Sequence, residues 1–201
     1  MTDEVGQVPA DDGGERQFAE EIADQVESFL LALRAIAAEG DAGSAVPLLL
    51  LEVSQVLLAG ARLGAQRDFE PRQEFQPDVG PEADVDDLRL RLADILGDAD
   101  TYGFVFDPYA PEIVVSQLSD DLSSIAADLE NGLRHYRRGD AEEALWWWQF
   151  SYVSNWGSLA GAAMKALLSV VAHDRLDVDN ESELDLIEAA EATLDGDLSG
   201  A

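Results

Sequence analysis

The stretch that decides the fold reads GLRHYRRGDAEEALWWWQFSYVSNWGSLAGAAMKALLSVVA and covers Gly132–Ala172. It predicts the end of one helix, a tight turn at Gly139 and a long helix that begins after Asp140. Asp140 is a favourable N-cap, Glu143 completes a capping-box pattern, and no proline interrupts residues 141–172. At about 1.5 Å per residue this helix spans roughly 45 Å, which is long enough for the axis of a helical bundle.

Apolar patterns predict four further helices around that axis. Residues 15–38 repeat apolar side chains at three- and four-residue spacing, and Ser44 can cap a second, largely buried helix. Residues 85–96 predict a short third helix, and residues 116–138 a fourth. The expected fold is therefore all-α, a single-domain bundle of about five main helices.

The distribution of charge and proline sets the expected domain boundaries. The bundle domain covers residues 15–174 and is centred on the long helix of residues 140–172. Residues 1–14 are expected to form a disordered acidic leader, and residues 175–201 an acidic tail that contains a short amphipathic helix. Residues 64–84 contain three prolines and predict an exposed connection.

An aromatic segment lies between the third and fourth predicted helices. It contains Tyr102, Phe104, Phe106 and Tyr109, punctuated by glycine and proline. A short strand over Tyr102–Phe106 is one interpretation, but a lone strand has nothing to pair with. The favoured prediction is an ordered loop that packs its aromatic rings on the bundle.

The formal net charge of −30 constrains the partners. Residues 64–112 and 174–201 each carry −9, so the charge is concentrated in connections and tails. Such a surface repels phosphate, which argues against direct nucleic-acid binding. A basic protein is the partner that this charge would attract, whereas the plainer interpretation is that the charge only keeps the protein in solution.

No catalytic or metal-binding pattern stands out. The chain has no cysteine, which excludes disulfides, thiol catalysis and zinc–thiolate sites. The residues three before His135 and His173 are Gly132 and Val170, so the Glu-x-x-His pairs of a di-metal bundle are missing. Phosphate-binding glycine loops and EF-hand loops are also missing from the sequence. We therefore predict no catalytic residue, no metal and no cofactor.

The tryptophan-rich part of the long helix is the one candidate ligand site. Aromatic walls flank a stripe of small polar residues there, which is a pattern that can line a groove. The candidate ligand-binding residues are Trp147, Trp148, Ser151, Ser154, Asn155 and Ser158. The alternative, which we favour, is that the tryptophans pack against neighbouring helices. In that case Gly157 and Gly161 permit close approach of another backbone, and Gln149 accepts an indole N–H.

Membrane association is not expected. The apolar run from Val46 to Ala61 has sixteen residues and is interrupted by Glu52 and Gln55, which is too short and too polar for a span. The N-terminal residues lack the basic start and apolar run of a signal peptide. We therefore expect a cytoplasmic location.

Three strings carry a resemblance to a known family. They are ALWWWQFSYVSNWG (Ala144–Gly157), FDPY (Phe106–Tyr109) and LLEVSQVLLAGARLGA (Leu50–Ala65). Over residues 17–174 the chain resembles an uncharacterised, all-helical actinobacterial family, a domain of unknown function. The resemblance implies a cytoplasmic bacterial protein with no assigned activity. The turn at Tyr136–Ala144 also resembles a junction between tetratricopeptide repeats, although no 34-residue repeat recurs.

Together these observations favour a non-enzymatic interaction or adaptor protein with an acidic surface. The alternative is a small-ligand-binding bundle, enzymatic or not, that uses the tryptophan-lined groove. The sequence leaves the oligomeric state open.

Overall fold

The computed structural model describes residues 12–71, 80–81 and 83–176. Its five helices are α1 (Asp12–Glu39), α2 (Ala42–Gly64), α3 (Asp86–Leu96), α4 (Leu118–Arg137) and α5 (Ala141–Ser151). After α5 the chain continues through one π-helical turn (Tyr152–Trp156) into an α-helix over residues 157–176. We call residues 141–176 together the C-terminal helix. A short 3₁₀ turn (Gly97–Ala99) and two strands, β1 (Thr101–Asp107) and β2 (Ala110–Gln117), connect α3 to α4.

The helices form one mostly all-α domain around a single apolar core, as predicted. All five helices contribute fully buried side chains, and an amphipathic helix hides its apolar stripe in this way. The largest fully buried side chains of the domain are Ile22, Phe29, Leu33, Leu49, Leu63, Leu92, Leu118, Leu122, Ile125, Leu129, Trp148 and, in the π-helical turn, Trp156. The predicted leader and tail lie outside the described residues except for 12–14 and 175–176, which are helical.

The start of α2 differs from the prediction. Asp41, not Ser44, is the N-cap, and its Oδ1 accepts hydrogen bonds from the backbone N–H groups of Gly43 (3.0 Å) and Ser44 (3.1 Å). The Ser44 hydroxyl instead donates to Asp41 Oδ2 at 2.8 Å. A carboxylate that accepts three donors satisfies the open end of the helix better than a lone hydroxyl does.

The turn between α4 and the C-terminal helix lies where the sequence predicts it. Gly139 has φ +85°, a left-handed conformation that favours glycine, and α5 begins directly after Asp140. The Asp140 side chain makes no capping hydrogen bond, so that part of the prediction is wrong. The backbone carbonyl of Asp140 accepts the N–H of Ala144 at 3.1 Å, which is the first helical bond.

The aromatic segment forms a β-hairpin, and the prediction of a loop is wrong. Strand β1 pairs antiparallel with β2, with Tyr102 opposite Ser116 and Val105 opposite Ile113. The partner strand is a β-branched run that the sequence analysis did not treat as a strand, and such residues suit a pleated surface. Asp107 Oδ1 accepts the N–H of Tyr109 at 2.8 Å and closes the turn.

Candidate functional site

Trp148, one of the candidate ligand-binding residues, lies in the core. Its side chain is fully buried, and its Nε1–H donates to the Leu129 carbonyl of α4 at 3.0 Å. Gly132 makes this contact possible, because a Cβ there would lie within 3.0 Å of three indole atoms. Trp148 therefore packs α4 against the C-terminal helix.

Trp147 and Asn155 contact the same helix from a half-buried position. The Trp147 Nε1–H donates to the Asp128 carbonyl at 3.1 Å, and the Asn155 amide donates to Asp128 Oδ2 at 2.8 Å. Burial raises the pKa of the Asp128 carboxyl, and the hydrogen bond from Asn155 opposes this shift. Gln149, the expected indole acceptor, instead donates to the carbonyls of Leu63 and Arg67, which corrects that prediction.

The three candidate serines occupy different environments. Ser151 is buried and donates to the Trp147 carbonyl at 2.7 Å, whereas Ser154 is exposed and donates to the Phe150 carbonyl at 2.7 Å. Such bonds to the preceding turn loosen the helix, which fits the π-helical turn at this place. Ser158 is exposed and lines a separate cleft further along the helix.

This cleft lies between β1 and the C-terminal helix and has a volume of about 690 Å³. One wall is the strand, with the half-buried rings of Tyr102 and Phe104 stacked 5.6 Å apart. The other wall is the helix, where small residues leave room between the two elements. The lining residues of the helix are Ser158, Gly161, Ala162, Lys165, Ala166, Ser169 and Val170. The lower half of the predicted polar stripe therefore faces the cleft.

A buried carboxylate anchors the hairpin beside the cleft. Asp121 of α4 accepts hydrogen bonds from the Tyr102 hydroxyl (2.5 Å) and the Ser116 hydroxyl (3.0 Å), one residue from each strand. Burial raises the pKa of Asp121, the two hydrogen bonds oppose this shift, and the nearby Asp120 and Asp100 carboxylates add to it. Burial together with the Asp121 hydrogen bond also raises the pKa of Tyr102 far above its ordinary value. The Tyr102 hydroxyl thus stays protonated and bound to Asp121, and the Tyr102 ring lines the cleft.

Asp100 fixes the base of the hairpin to the start of α4. It is buried, and its carboxylate accepts the backbone N–H of Ser119 (2.7 Å) and the Ser119 hydroxyl (2.9 Å). The side-chain amide of Gln117 donates to it at 3.3 Å. The bond from the Ser119 N–H satisfies a free backbone donor at the helix start, so Asp100 has a clear structural role.

Lys165 is the cation of the cleft and the sole lysine of the chain. Among the described residues no carboxylate lies within 4.0 Å of its ammonium group. Several arginines of the same domain, such as Arg34, Arg62 and Arg137, pair with glutamates across helices. The ammonium group of Lys165 can therefore meet an anion in the cleft without first breaking an ion pair with a described carboxylate.

Gly161 contributes open space to the cleft. A Cβ at Gly161 would meet nothing within 4 Å, whereas a Cβ at Gly157 would overlap Tyr152. The prediction that both glycines permit close approach of another backbone is therefore wrong at Gly161, and at Gly157 the atoms that exclude a Cβ belong to Tyr152 of the same helix. Glycine inside a helix lowers its stability relative to alanine, and no neighbouring atom occupies the space that this glycine leaves.

The outer face of the hairpin carries an exposed apolar patch. The register places Val105 opposite Ile113 and Gly103 opposite Val115, on the face that points away from the Tyr102 ring. Ile113 is 78% exposed and Val115 71% exposed. Only β1 and β2 belong to this sheet, so one edge of each strand has no strand partner among the described residues.

His135 and His173 belong to no metal-binding group in the part of the chain that the structure describes. Within the described ranges, no group of three or more His, Asp or Glu residues is arranged to hold a metal ion. His135 is buried and stacks on Trp147 with ring centroids 6.4 Å apart. Burial lowers the pKa of His135, which favours the neutral imidazole.

Helix α2 is longer and more apolar than the sequence analysis allowed. Within Gly43–Gly64 the most apolar stretch has a mean hydropathy of 1.7, which satisfies the length and composition of a membrane span, and 39% of that stretch is buried. The helix places Leu49, Val53 and Val56 in the core, and the core helix of a soluble protein passes the same test. Its other face exposes leucines, among them Leu51 and Leu58.

Comparison with known proteins shows the family. Residues 14–173 match the family described as Domain of unknown function (DUF5063), and the chain belongs to this family. The expected membership of an uncharacterised domain family is confirmed, whereas the actinobacterial origin and the tetratricopeptide likeness stay predictions. No curated protein matches the chain.

The fold also occurs in a solved structure. It is the crystal structure of protein BF1032 from Bacteroides fragilis, with a TM-score of 0.62 and 20% sequence identity. The match covers 75% of this chain and 90% of that one. At this identity the likeness shows the fold alone.

Proposed function

We propose that the protein is a non-enzymatic interaction module that binds a basic protein partner through the outer face of the β-hairpin. The observation that carries the proposal is the solvent-facing patch of Val105, Ile113 and Val115. Exposed apolar patches with unpaired strand edges are typical of binding surfaces, because an added strand or side chain removes them from water.

Charge around the patch selects the partner. Exposed carboxylates stand at both ends of the hairpin: Asp98 precedes β1, Asp107 ends it and Glu112 lies in β2. An apolar centre with a polar rim is the usual anatomy of an interface. A partner with basic residues around an apolar contact would complement this rim, and salt would weaken the attraction.

The hairpin is also anchored firmly enough to present the patch. An isolated two-stranded hairpin is marginal in water, but this one is tied to α4 by the hydrogen bonds of Asp100 and Asp121. Rigid presentation lowers the entropy lost on binding.

The test uses a photo-crosslinker, p-benzoylphenylalanine, placed at Ile113 in the host cell. A matched crosslinker at Leu58 of α2 provides the control, because Leu58 is also exposed (59%) and lies on another surface. We expect the Ile113 position to capture one or a few basic proteins that the Leu58 position does not capture. Capture at Leu58 alone, or of acidic proteins, would contradict the proposal.

A paired set of variants then measures the contribution of the patch. Ile113→Thr with Val115→Thr keeps the β-branched shape and removes apolar surface. Leu51→Gln with Leu58→Gln removes similar surface from α2. We expect the hairpin pair, and not the α2 pair, to weaken binding to the captured protein while the melting temperature stays constant. Light scattering measures whether the protein self-associates. A homodimer that is lost in the hairpin pair of variants would refute the proposal of a basic partner.

A further inference from the structure

The cleft between β1 and the C-terminal helix has the features of a ligand site, and we propose that it binds a small organic monoanion with an apolar or aromatic body. The cleft shares Val105 with the exposed patch, but its remaining walls are the Tyr102 and Phe104 rings and the C-terminal helix, so this proposal is tested separately from the protein partner proposed above. Lys165 would bind the anionic group, and the rings of Tyr102 and Phe104 would contact the body.

The size and lining of the cleft support a small molecule. A volume of about 690 Å³ falls within the range of roughly 300–1,000 Å³ that is typical of small-molecule sites. The helix wall has small side chains at Gly161, Ala162 and Ala166, and the strand wall has two aromatic rings. Such walls favour an apolar body, since burial of apolar surface drives its transfer from water.

The charges of the cleft select a single negative charge. Lys165 has no carboxylate partner among the described residues, so an incoming anion need not displace one. Asp98 lines the opposite side, and the net charge of −30 surrounds the site. Both disfavour polyanions such as nucleotides. The Ser158 hydroxyl has no hydrogen bond within the described part of the chain and adds a polar contact.

The open space at Gly161 is part of this cleft. At Gly132 and Gly157 a Cβ would overlap a side chain or backbone atom, so packing explains those glycines. At Gly161 a Cβ would meet nothing, yet the position lies in the middle of a helix and faces the cleft. The space that this glycine leaves open is space that a ligand can fill.

The test compares two fluorescent probes with the same aromatic body. Anilinonaphthalene sulfonate carries one negative charge, and phenylnaphthylamine is its uncharged analogue. We expect the intact protein to bind both, with a preference for the anion. Lys165→Gln should lower affinity for the sulfonate roughly tenfold and leave the uncharged probe unaffected, because a charge-assisted contact is lost. Arg138→Gln, which removes an exposed cation outside the cleft, should change neither affinity.

Two filling variants locate the probe. Gly161→Leu and Ser158→Phe place side chains in the cleft and should weaken both probes, and a melting curve shows that each variant is folded. The proposal is overturned if Lys165→Gln binds the sulfonate as tightly as the intact protein, or if a folded filling variant keeps both probes. Decanoate, an apolar monoanion, should displace the sulfonate, and ATP should not. Displacement by ATP at equal or lower concentration would refute selection for a single charge.

Discussion

The same substitution, glycine to alanine, should have opposite effects at two helical positions of this protein. At Gly132 the new Cβ would lie within 3.0 Å of three atoms of the Trp148 indole. That ring cannot move easily, because it is fully buried and its Nε1–H is bound to the Leu129 carbonyl. At Gly161 the new Cβ would meet nothing within 4 Å.

The magnitudes follow from two opposing terms. Alanine is favoured over glycine in a helix interior by about 1 kcal/mol. Overpacking of a close-packed core costs about 1–3 kcal/mol. Gly161→Ala should therefore stabilise the protein by roughly 0.5–1 kcal/mol. Gly132→Ala should destabilise it by up to about 2 kcal/mol, because the overpacking cost exceeds the gain in propensity.

Urea denaturation followed by circular dichroism measures both variants under identical conditions. We expect the midpoint of Gly161→Ala to rise and that of Gly132→Ala to fall, with unchanged slopes. In a Trp148→Phe background, which removes the indole, the cost of Gly132→Ala should shrink, and the double-mutant cycle reports this coupling. A stabilised Gly132→Ala would refute the packing of Trp148 against α4 described above.

Three further predictions concern the tryptophans, pH and salt. Trp147→Ala should lower the free energy of unfolding by about 3 kcal/mol, and Trp148→Ala by up to about 5 kcal/mol, since Trp147 is only half-buried. A melting temperature that barely changes in Trp147→Ala would contradict the packing role and favour the ligand groove. Because burial raises the pKa of Asp121, the native protein binds a proton at this carboxyl more tightly than the unfolded chain does. The stability of the wild-type protein relative to Asp121→Asn should therefore rise as the pH falls from 7 towards 3.8, the ordinary pKa of an aspartate. The measurement is the difference in urea midpoint between the wild-type protein and the variant. A difference that stays constant over this pH range would contradict a raised pKa of Asp121. Moderate sodium chloride should raise the melting temperature, because it screens self-repulsion in a chain of net charge −30, and a flat series would argue against such repulsion.

The helices were predictable because their signals are local and periodic. The apolar spacing and Gly139 located the turn and the C-terminal helix, whose register depends on residues three and four apart. The hairpin was missed because its two strands had to be recognised together. A lone aromatic strand was correctly judged unstable, but Ile113, Val114 and Val115 form a second β-branched run beside it. That run, preceded by Pro108 and its turn, was the available signal.

The position of the cleft depends on a tertiary event that the sequence pattern does not contain. The polar stripe of the C-terminal helix was visible, and Ser158, Ala162, Lys165 and Ser169 belong to it. The tryptophans mark the other half of the stripe, where α4 covers the C-terminal helix and Trp147 and Trp148 pack against α4.

The part of the polar stripe from Ser158 to Ser169 is open because α4 no longer contacts the C-terminal helix there, and the hairpin lies beside it instead. A helix covers its neighbour closely, whereas a strand held by Asp100 and Asp121 is fixed at its base and leaves a gap above small residues. Aromatic strand residues then face Gly161 across that gap. The anchoring carboxylates thus set the width of the cleft on one side of the hairpin and present the apolar patch on the other. Loss of the Asp121 contacts should therefore affect both surfaces together, whereas Lys165→Gln and Ile113→Thr should each affect only one.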